Sequence, residues 1–388
     1  MKGSVTEKGA GTWLIRAYAG RVDGKTAHVN RTVHGTKRDA QRALAQLVTD
    51  VSGGKVTAGQ GMTLAQLIER WLDDISPQRT PRTIHEYRRV VRHDIVPALG
   101  TKRIDRLTAR DIDTYYRSLL ERGLSPASVR RNHALLHASL GRAVKWDLIA
   151  TNPVDRASPP ATRRAQVSAP AVDEVVRLID AARAEGNSVL ATAIALAAVT
   201  GMRRGELCAL RWSDVDLGLG QLRVSRSVTV TPGRLHLGDT KTHQARDVAL
   251  DPAAVDLLAE RRLDQEKYVG TVGVELAPDP YVLSRDADGS QPCLPDGLGR
   301  AHWRLTRELG IKSRFHDLRH FSATQLIGAG IDVRTVAGRL GHADASTTLR
   351  VYSHVLRERD KAAAGHLGGL VLGRQKLTTD GGSAASDP

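Results

Sequence analysis

Residues 315 to 354 read FHDLRHFSATQLIGAGIDVRTVAGRLGHADASTTLRVYSH. An H-x-x-R step opening a helix sets His316 and Arg319 about one turn apart on one face. Asp332 predicts the N-cap of a short helix that Gly341 ends, which leaves His342 just past a helix stop. Ser346 or Thr347 can cap the next helix, the one that carries Tyr352. Two imidazoles, a guanidinium and a phenol in this stretch are candidates to meet one phosphate. Phe321, Leu326, Ile327, Val333 and Leu340 fall at helical spacing and read as core, and Leu349 and Val351 as packing for the helix of Tyr352.

Upstream, the apolar run VLATAIALAAV leads into TGMRRGELCALRWSDVD. Thr200 and Gly201 let the chain stop and restart, so that Arg203 projects from a helix start with Glu206 one turn on. Taken alone, this pair reads as an i,i+3 salt bridge on a surface helix. The β-like runs QLRVSRSVTV and ARDVAL then flank GDTKTHQ, which carries Lys241.

Taken in order, T-G-x-R-x-x-E-L, H-x-x-R-H, L-G-H and a tyrosine a short helix later resemble the catalytic half of the tyrosine recombinases, the phage-integrase family. The resemblance implies roles. Arg203 and Arg319 clamp the non-bridging oxygens of a phosphodiester, in the planar, bidentate fashion that guanidinium permits. His342 adds a hydrogen bond to the same group. Tyr352 is the nucleophile; its phenol has an ordinary pKa of about 10 and is weak at neutral pH. His316 is the family's candidate to take its proton. Lys241, at the tip of an expected hairpin, is the family's general acid for the leaving sugar oxygen; Lys267 and Lys312 are the alternatives in this interval. The implied intermediate joins Tyr352 to a 3′ phosphate and releases a 5′ hydroxyl, whose counterpart on another strand reverses the step. One phosphodiester is exchanged for one phosphotyrosine and back, so neither ATP nor metal is required. No cofactor is expected, in keeping with a sequence that lacks a G-x-x-x-x-G-K-[ST] loop and a carboxylate cluster of metal-ligand spacing.

Composition agrees with a polyanion partner. The 388 residues hold 57 lysines and arginines against 42 acids, a formal charge of +15. Cys208 and Cys293 form no C-x-x-C, which argues against a disulfide framework or a thiolate zinc site and fits a reducing cytoplasm. The first residues, MKGSVTEKGAGTW, show no apolar core of a signal peptide. The longest apolar stretch, near Val189 to Val199, is shorter than the about 20 residues a membrane span needs and reads as a buried helix.

In chain order, residues 12 to 34 alternate in β-like runs around the turn signal Asp23-Gly24, carrying Arg16, Arg21, Lys25, His28 and Arg31. Thr36 and Asp39 then cap a helix with the stripe Ala40, Leu44, Leu47 and Val51. This segment is similar to the arm-site DNA-binding domain of many phage integrases. From Thr63 the pattern is helical, with capping boxes at Thr63/Gln66 and Thr83/Glu86 and a Ser125-Pro126 start. Helices are predicted over 63–75, 80–94, 108–122 and 126–146, with Pro97 and Gly100 separating the second from the third. Their polar faces are basic, through Arg82, Arg88, Arg89 and Arg92, and through Arg130, Arg131, Arg142 and Lys145. The run SPASVRRNHALLHASLGRAVKWDLIATNP resembles the last helix of the family's core-binding domain. His133 and His137 lie four apart on it, a spacing that could hold a metal but with no third ligand evident.

The expected fold is therefore multidomain α+β. An arm-site DNA-binding sheet-and-helix domain covers 1–55, an all-α, SAM-like core-binding domain 62–153 and a linker 154–168. A mainly α catalytic domain with a small antiparallel sheet covers 169–374, and a disordered tail 375–388. The resemblance implies double-stranded DNA attachment sites as substrate, a homotetramer on DNA, an accessory DNA-bending or directionality protein, and a cytoplasmic, nucleoid-associated enzyme with no membrane contact. The segment after Tyr352, with Leu356, Leu367, Leu370, Val371 and Leu372, packs on its own domain or couples neighbouring protomers. Three alternatives stay open: a catalytically silent DNA-binding protein on the same scaffold, a type IB topoisomerase, and a zinc hydrolase built on the H-x-x-x-H of His316 and His320. The last has Asp317 where the metalloprotease base would be glutamate.

Overall fold

The computed structural model describes residues 3–22, 25–52, 61–162, 169–240, 245–341 and 364–371. The chain divides into two compact units, Met1–Arg164 and Ala165–Pro388.

The first unit opens with an antiparallel meander, β1 (Gly3–Gly9), β2 (Thr12–Val22) and β3 (Lys25–His34). Alternation along β2 sends Ile15 and Ala17 inward, and Ala17 pairs with Val29 across the ladder. Helix α1 (Lys37–Ser52) closes this face with Ala40 and Leu47. Thr36 and Asp39 cap it reciprocally, Thr36 N to Asp39 Oδ2 at 2.9 Å and Asp39 N to Thr36 Oγ1 at 3.3 Å. Arg16, His28 and Arg31 are exposed. The Asp23-Gly24 turn lies outside the described residues. Strand β1 is absent from the sequence reading because Val5 is its single large apolar residue.

A separate core forms among α2 (Leu64–Ile75), α3 (Pro81–Val90), α4 (Val96–Leu99), α5 (Ala109–Glu121) and α6 (Pro126–Lys145), around Leu67, Ile68, Leu72, Ile112, Leu119 and Leu136. The Thr63/Gln66 box and the Ser125 cap are formed. The Thr83/Glu86 box is not: Thr80 caps α3 three residues earlier and accepts from Thr83 N at 3.3 Å. Pro81 supplies the first helical residue, where a missing N–H costs nothing, and Glu86 instead receives Arg89 Nε at 3.2 Å. Pro97 does not break the chain either. A π-helical turn, Val91–Ile95, joins α3 to α4 and carries the helix through to Gly100. The widened turn accommodates a residue that has no N–H to return. Arg88, Arg89, Arg92, Arg130, Arg131 and Lys145 are exposed. His133 and His137 stack with ring centroids 6.0 Å apart. Each has its own partner, Tyr116 Oη at 2.8 Å and Asp155 Oδ1 at 3.0 Å. Among the described residues no group of three or more His, Cys, Asp or Glu could hold a metal ion.

In the second unit α7 (Val172–Ala184) packs on α8 (Ser188–Thr200), which is apolar nearly all round and buried from Leu190 to Ala198. After α9 (Arg204–Ala209) come β4 (Val215–Asp216), β5 (Gln221–Val224), β6 (Arg226–Thr231), β7 (Arg234–Asp239) and β8 (Arg246–Ala249). They form two small antiparallel sheets, β4-β5-β8 and β6-β7, where one was expected. Strand β7 pairs with β6 while β8 pairs with β5. The described strands on either side of residues 241–244, β7 and β8, thus belong to different sheets, and the expected hairpin tip at Lys241 lies outside the described residues. The tight turn in this region is Pro232-Gly233, between β6 and β7, and the alternating segment RLHLGD is a strand that the sequence reading missed. Helices α10 (Pro252–Val272), α11 (Pro295–Glu308), α12 (Asp317–Gly328) and α13 (Val333–Leu340) complete the fold, with a further helix over residues 364–371. No helix among the described residues is long and apolar enough to cross a membrane.

Candidate active site

Helix α8 stops at Gly201, which adopts φ 66°. A side chain there would be strained by the positive φ and would also collide with Leu340. The Thr200 hydroxyl turns back onto the carbonyl of Leu196. The chain restarts at Arg203, which is extended (φ −72°, ψ 148°) and stands at the N-cap of α9. The expected stop and restart is present.

Glu206 is not on a surface helix. It is 1 % exposed and receives Arg203 N at 3.0 Å and Arg203 Nη1 at 2.7 Å. Arg246 Nη2 reaches its other face, 2.7 Å from Oε2. Burial acts to raise the Glu206 pKa, but the hydrogen bond and charge of Arg246, with those of Arg203, outweigh it and hold the carboxyl below its ordinary value. The free edge of Arg203 turns the other way: Nη2 donates to the carbonyl of Gly341 at 2.9 Å.

Arg319 is the third residue of α12 and is nearly fully buried. Its Nη1 donates to the carbonyl of Gly201 at 2.6 Å, so the second arginine is tied to the turn that presents the first. His316 stands at the N-cap of α12, and its ring meets that of His320 edge-on at 5.0 Å. His316 is an exposed residue, yet protein atoms crowd its ring enough to desolvate it in part. That desolvation, followed by the neighbouring His320, Arg319 and Arg203, brings its pKa down to about 4, against a weaker opposing pull from Asp317. His316 is thus neutral at pH 7, with a lone pair available. His320 is lowered too, again mainly by burial. Asp317 is held by Arg314, through the backbone N at 2.8 Å and Nη2 at 2.9 Å, so it serves the loop rather than standing as a base beside the histidines.

Asp332 caps α13 as expected, accepting from Arg334 N and Thr335 N at 2.9 Å each. Gly341 ends it at φ 68°. The structure thus brings Arg203, Arg319 and His316 together with the turn that leads into His342. Lys241, His342 and Tyr352 lie outside the described residues, as do the caps Ser346 and Thr347 and the side chains Leu349, Val351 and Leu356.

Two residues near this site escaped the sequence reading. Arg246 begins β8 in phase with the buried Val248, and that two-residue register was the available signal. His302, on α11, is fully buried against Phe315 at 5.4 Å, and among the described residues neither ring nitrogen has a hydrogen-bond partner. No sequence pattern distinguishes it from the surrounding helix.

Comparison with known proteins decides the family. Residues 171–359 match the phage integrase family, and residues 63–120 match the phage integrase N-terminal SAM-like domain. The chain belongs to the phage integrase family, the tyrosine recombinases. The integrase of ICEBs1 from Bacillus subtilis (strain 168) is 25% identical over 343 residues, 88% of this chain and 92% of that protein. Among solved structures, the Tn1549 transposon integrase in complex with transposon right end DNA superposes with a TM-score of 0.66 at 19% identity. It covers 79% of this chain and 100% of its own. The lambda integrase tetramer bound to a Holliday junction gives 0.56 at 20% identity, covering 88% and 96%. Both share the recombinase fold, and the T-G-x-R-x-x-E-L and H-x-x-R-H residues of this phage integrase lie within the matched residues 171–359.

Proposed function

We propose that this tyrosine recombinase cuts and rejoins duplex DNA at attachment sites through a 3′-phosphotyrosine at Tyr352, moving a mobile element into or out of host DNA. The Tyr352 oxygen attacks the scissile phosphorus, and the bond to the 5′ oxygen breaks. The phenolic proton passes to His316. Lys241 donates a proton to the departing 5′ oxygen. Arg203, Arg319 and His342 hold the two non-bridging oxygens as their charge develops.

The observation that carries this reading is geometric: Arg319 is tied to the Gly201 turn that presents Arg203, and His316 caps the helix that carries Arg319. An imidazole at pKa about 4 is a poor proton acceptor by itself. A phosphodiester anion ~4 Å away would stabilise its protonated form by roughly 4 kcal/mol at an effective dielectric of about 20. Bound substrate would therefore raise the pKa of His316 back toward the physiological range. The barrier to be lowered is roughly 15–20 kcal/mol, most of which must come from positioning and charge stabilisation.

Residues 1–55 serve as the arm-site domain, 62–153 as the core-binding domain and 169–374 as the catalytic domain. The exposed arginines of α3 and α6 suit phosphate tracking in the second of these. The lambda integrase tetramer on a Holliday junction supports a homotetramer working on paired sites. An accessory DNA-bending or directionality protein and a cytoplasmic location belong to the same reading.

A supercoiled plasmid carrying two directly repeated attachment sites tests it. Recombination yields two smaller circles. Relaxation without new connectivity would assign a type IB topoisomerase, and an unchanged plasmid a silent DNA-binding protein.

A further inference from the structure

The last carbonyls of a helix have no partner within it and carry the negative end of its dipole. At the end of α13 two arginines from distant strands and turns take that role. Arg246 Nε donates to the carbonyl of Arg339 at 2.8 Å, and Arg203 Nη2 donates to that of Gly341 at 2.9 Å. Between the two guanidinium groups lies the buried Glu206 carboxylate, 2.7 Å from each. Arg246, Glu206, Arg203 and the α13 terminus thus form a closed ring of charge-assisted hydrogen bonds. Arg203 spends two of its five N–H donors in this ring. The ring therefore fixes the direction in which the remaining donors point.

Arg246 itself has little access to a ligand. Its side chain is 9% exposed. It lies so close over Gly341 that a Cβ there would come within 2.8 Å of Nη1. It touches the residue that precedes His342 and the carboxylate that orients Arg203.

We propose that Arg246 is a positioning residue for strand cleavage, resting on the phosphotyrosine chemistry above. By bridging Glu206 to the end of α13 it sets the guanidinium of Arg203 and the turn into His342 in one register. It acts through these two groups and does not touch the phosphate. Methionine at 246 would keep the apolar stem and lose every hydrogen bond. Lysine would keep the charge and make one bond in place of the two that close the ring.

The test uses the full chain and a set of nicked suicide duplexes tiled across the DNA that flanks its gene, with single-turnover adduct formation, DNA affinity and melting temperature measured together. Arg246→Met is expected to slow cleavage about 100-fold while DNA affinity stays near wild type, because a shift on the order of 1 Å in a clamp costs that much. Arg246→Lys should recover roughly a tenth of the wild-type rate, and it replaces the methionine variant if that protein does not fold. In an Arg203→Lys background, Arg246→Met should cost less than about threefold more, since the group it orients is already gone. Wild-type cleavage by Arg246→Met or Arg246→Lys overturns the proposal, as does a loss that multiplies in full with Arg203→Lys or merely follows DNA affinity. Wild-type protein that forms no adduct on any duplex overturns the recombinase reading itself, a result distinct from either.

Discussion

The guanidinium of Arg203 donates to the carbonyl of Gly341, 138 residues further along the chain, at 2.9 Å. Through that bond the start of α9 and the end of α13 become one structural object. The carbonyl belongs to the residue before His342, so the bond ties one residue of the expected phosphate site to the chain neighbour of another. Arg319 makes the complementary tie, onto the carbonyl of Gly201 at 2.6 Å.

Arg319→Lys keeps the charge and loses the fork that holds Gly201 and that, in the proposed reaction, clamps a phosphate oxygen. Cleavage should fall about 100- to 1000-fold, the scale for removing one oriented donor from a charge-stabilising site. DNA affinity, which the whole basic surface shares, should change little. Gel-shift titration beside single-turnover cleavage separates the two quantities, and equal cleavage by both proteins would remove Arg319 from the clamp.

Gly341→Ala meets two obstacles, a left-handed backbone at φ 68° and the Arg246 guanidinium over the α-carbon. The backbone alone costs about 1–2 kcal/mol. Thermal unfolding should register at least that loss, and cleavage should drop further than the folded fraction explains because Arg246 must move.

His302 gives stability a pH dependence. Burial lowers its folded pKa to about 4, against about 6.5 in the unfolded chain. The unfolded state binds the extra proton, so stability is lost as pH falls from about 6.5 to about 4 and the slope levels off below that. Glu206 and Asp317 have depressed carboxyl values and lose their contribution at lower pH still. Denaturant titrations between pH 7 and 4 should show the slope in wild type and a shallower one in His302→Phe. Identical slopes would mean that the ring is solvated when folded.

DNA affinity should fall steeply with salt. If six to ten phosphates are neutralised, raising salt from about 50 to 200 mM weakens binding roughly 10³- to 10⁵-fold. A flat response would mean that phosphate neutralisation is not what holds the protein on DNA.

What the sequence made legible was local. Thr63, Ser125, Asp332 and Gly341 act on backbone groups within one turn, so residue type and spacing declare them. The Thr83 cap failed because Thr80-Pro81 offers the same chemistry with a proline already in place, and spacing alone does not rank the two. Pro97 failed as a break because a π turn absorbs its missing N–H, and no local residue pattern announces that turn; Ile95 and Leu99 around it are buried in the core. Strand β7, RLHLGD, has no β-branched or aromatic residue to declare it, and with it was lost the fact that the strands flanking residues 241–244 belong to different sheets. The ring of Arg203, Glu206 and Arg246 was half visible. The i,i+3 pair could be read as a salt bridge, but its burial and its third member depend on a strand 40 residues away.

The direct test of the central claim is the chemical identity of the protein–DNA bond. Full-length protein is incubated with the nicked duplexes, digested with protease and nuclease, and the nucleotide-bearing peptide is sequenced by mass spectrometry. The expected product is a 3′-phosphotyrosine at Tyr352 that is absent from Tyr352→Phe. An adduct on any other residue, an adduct that survives Tyr352→Phe, or none with wild type would contradict it.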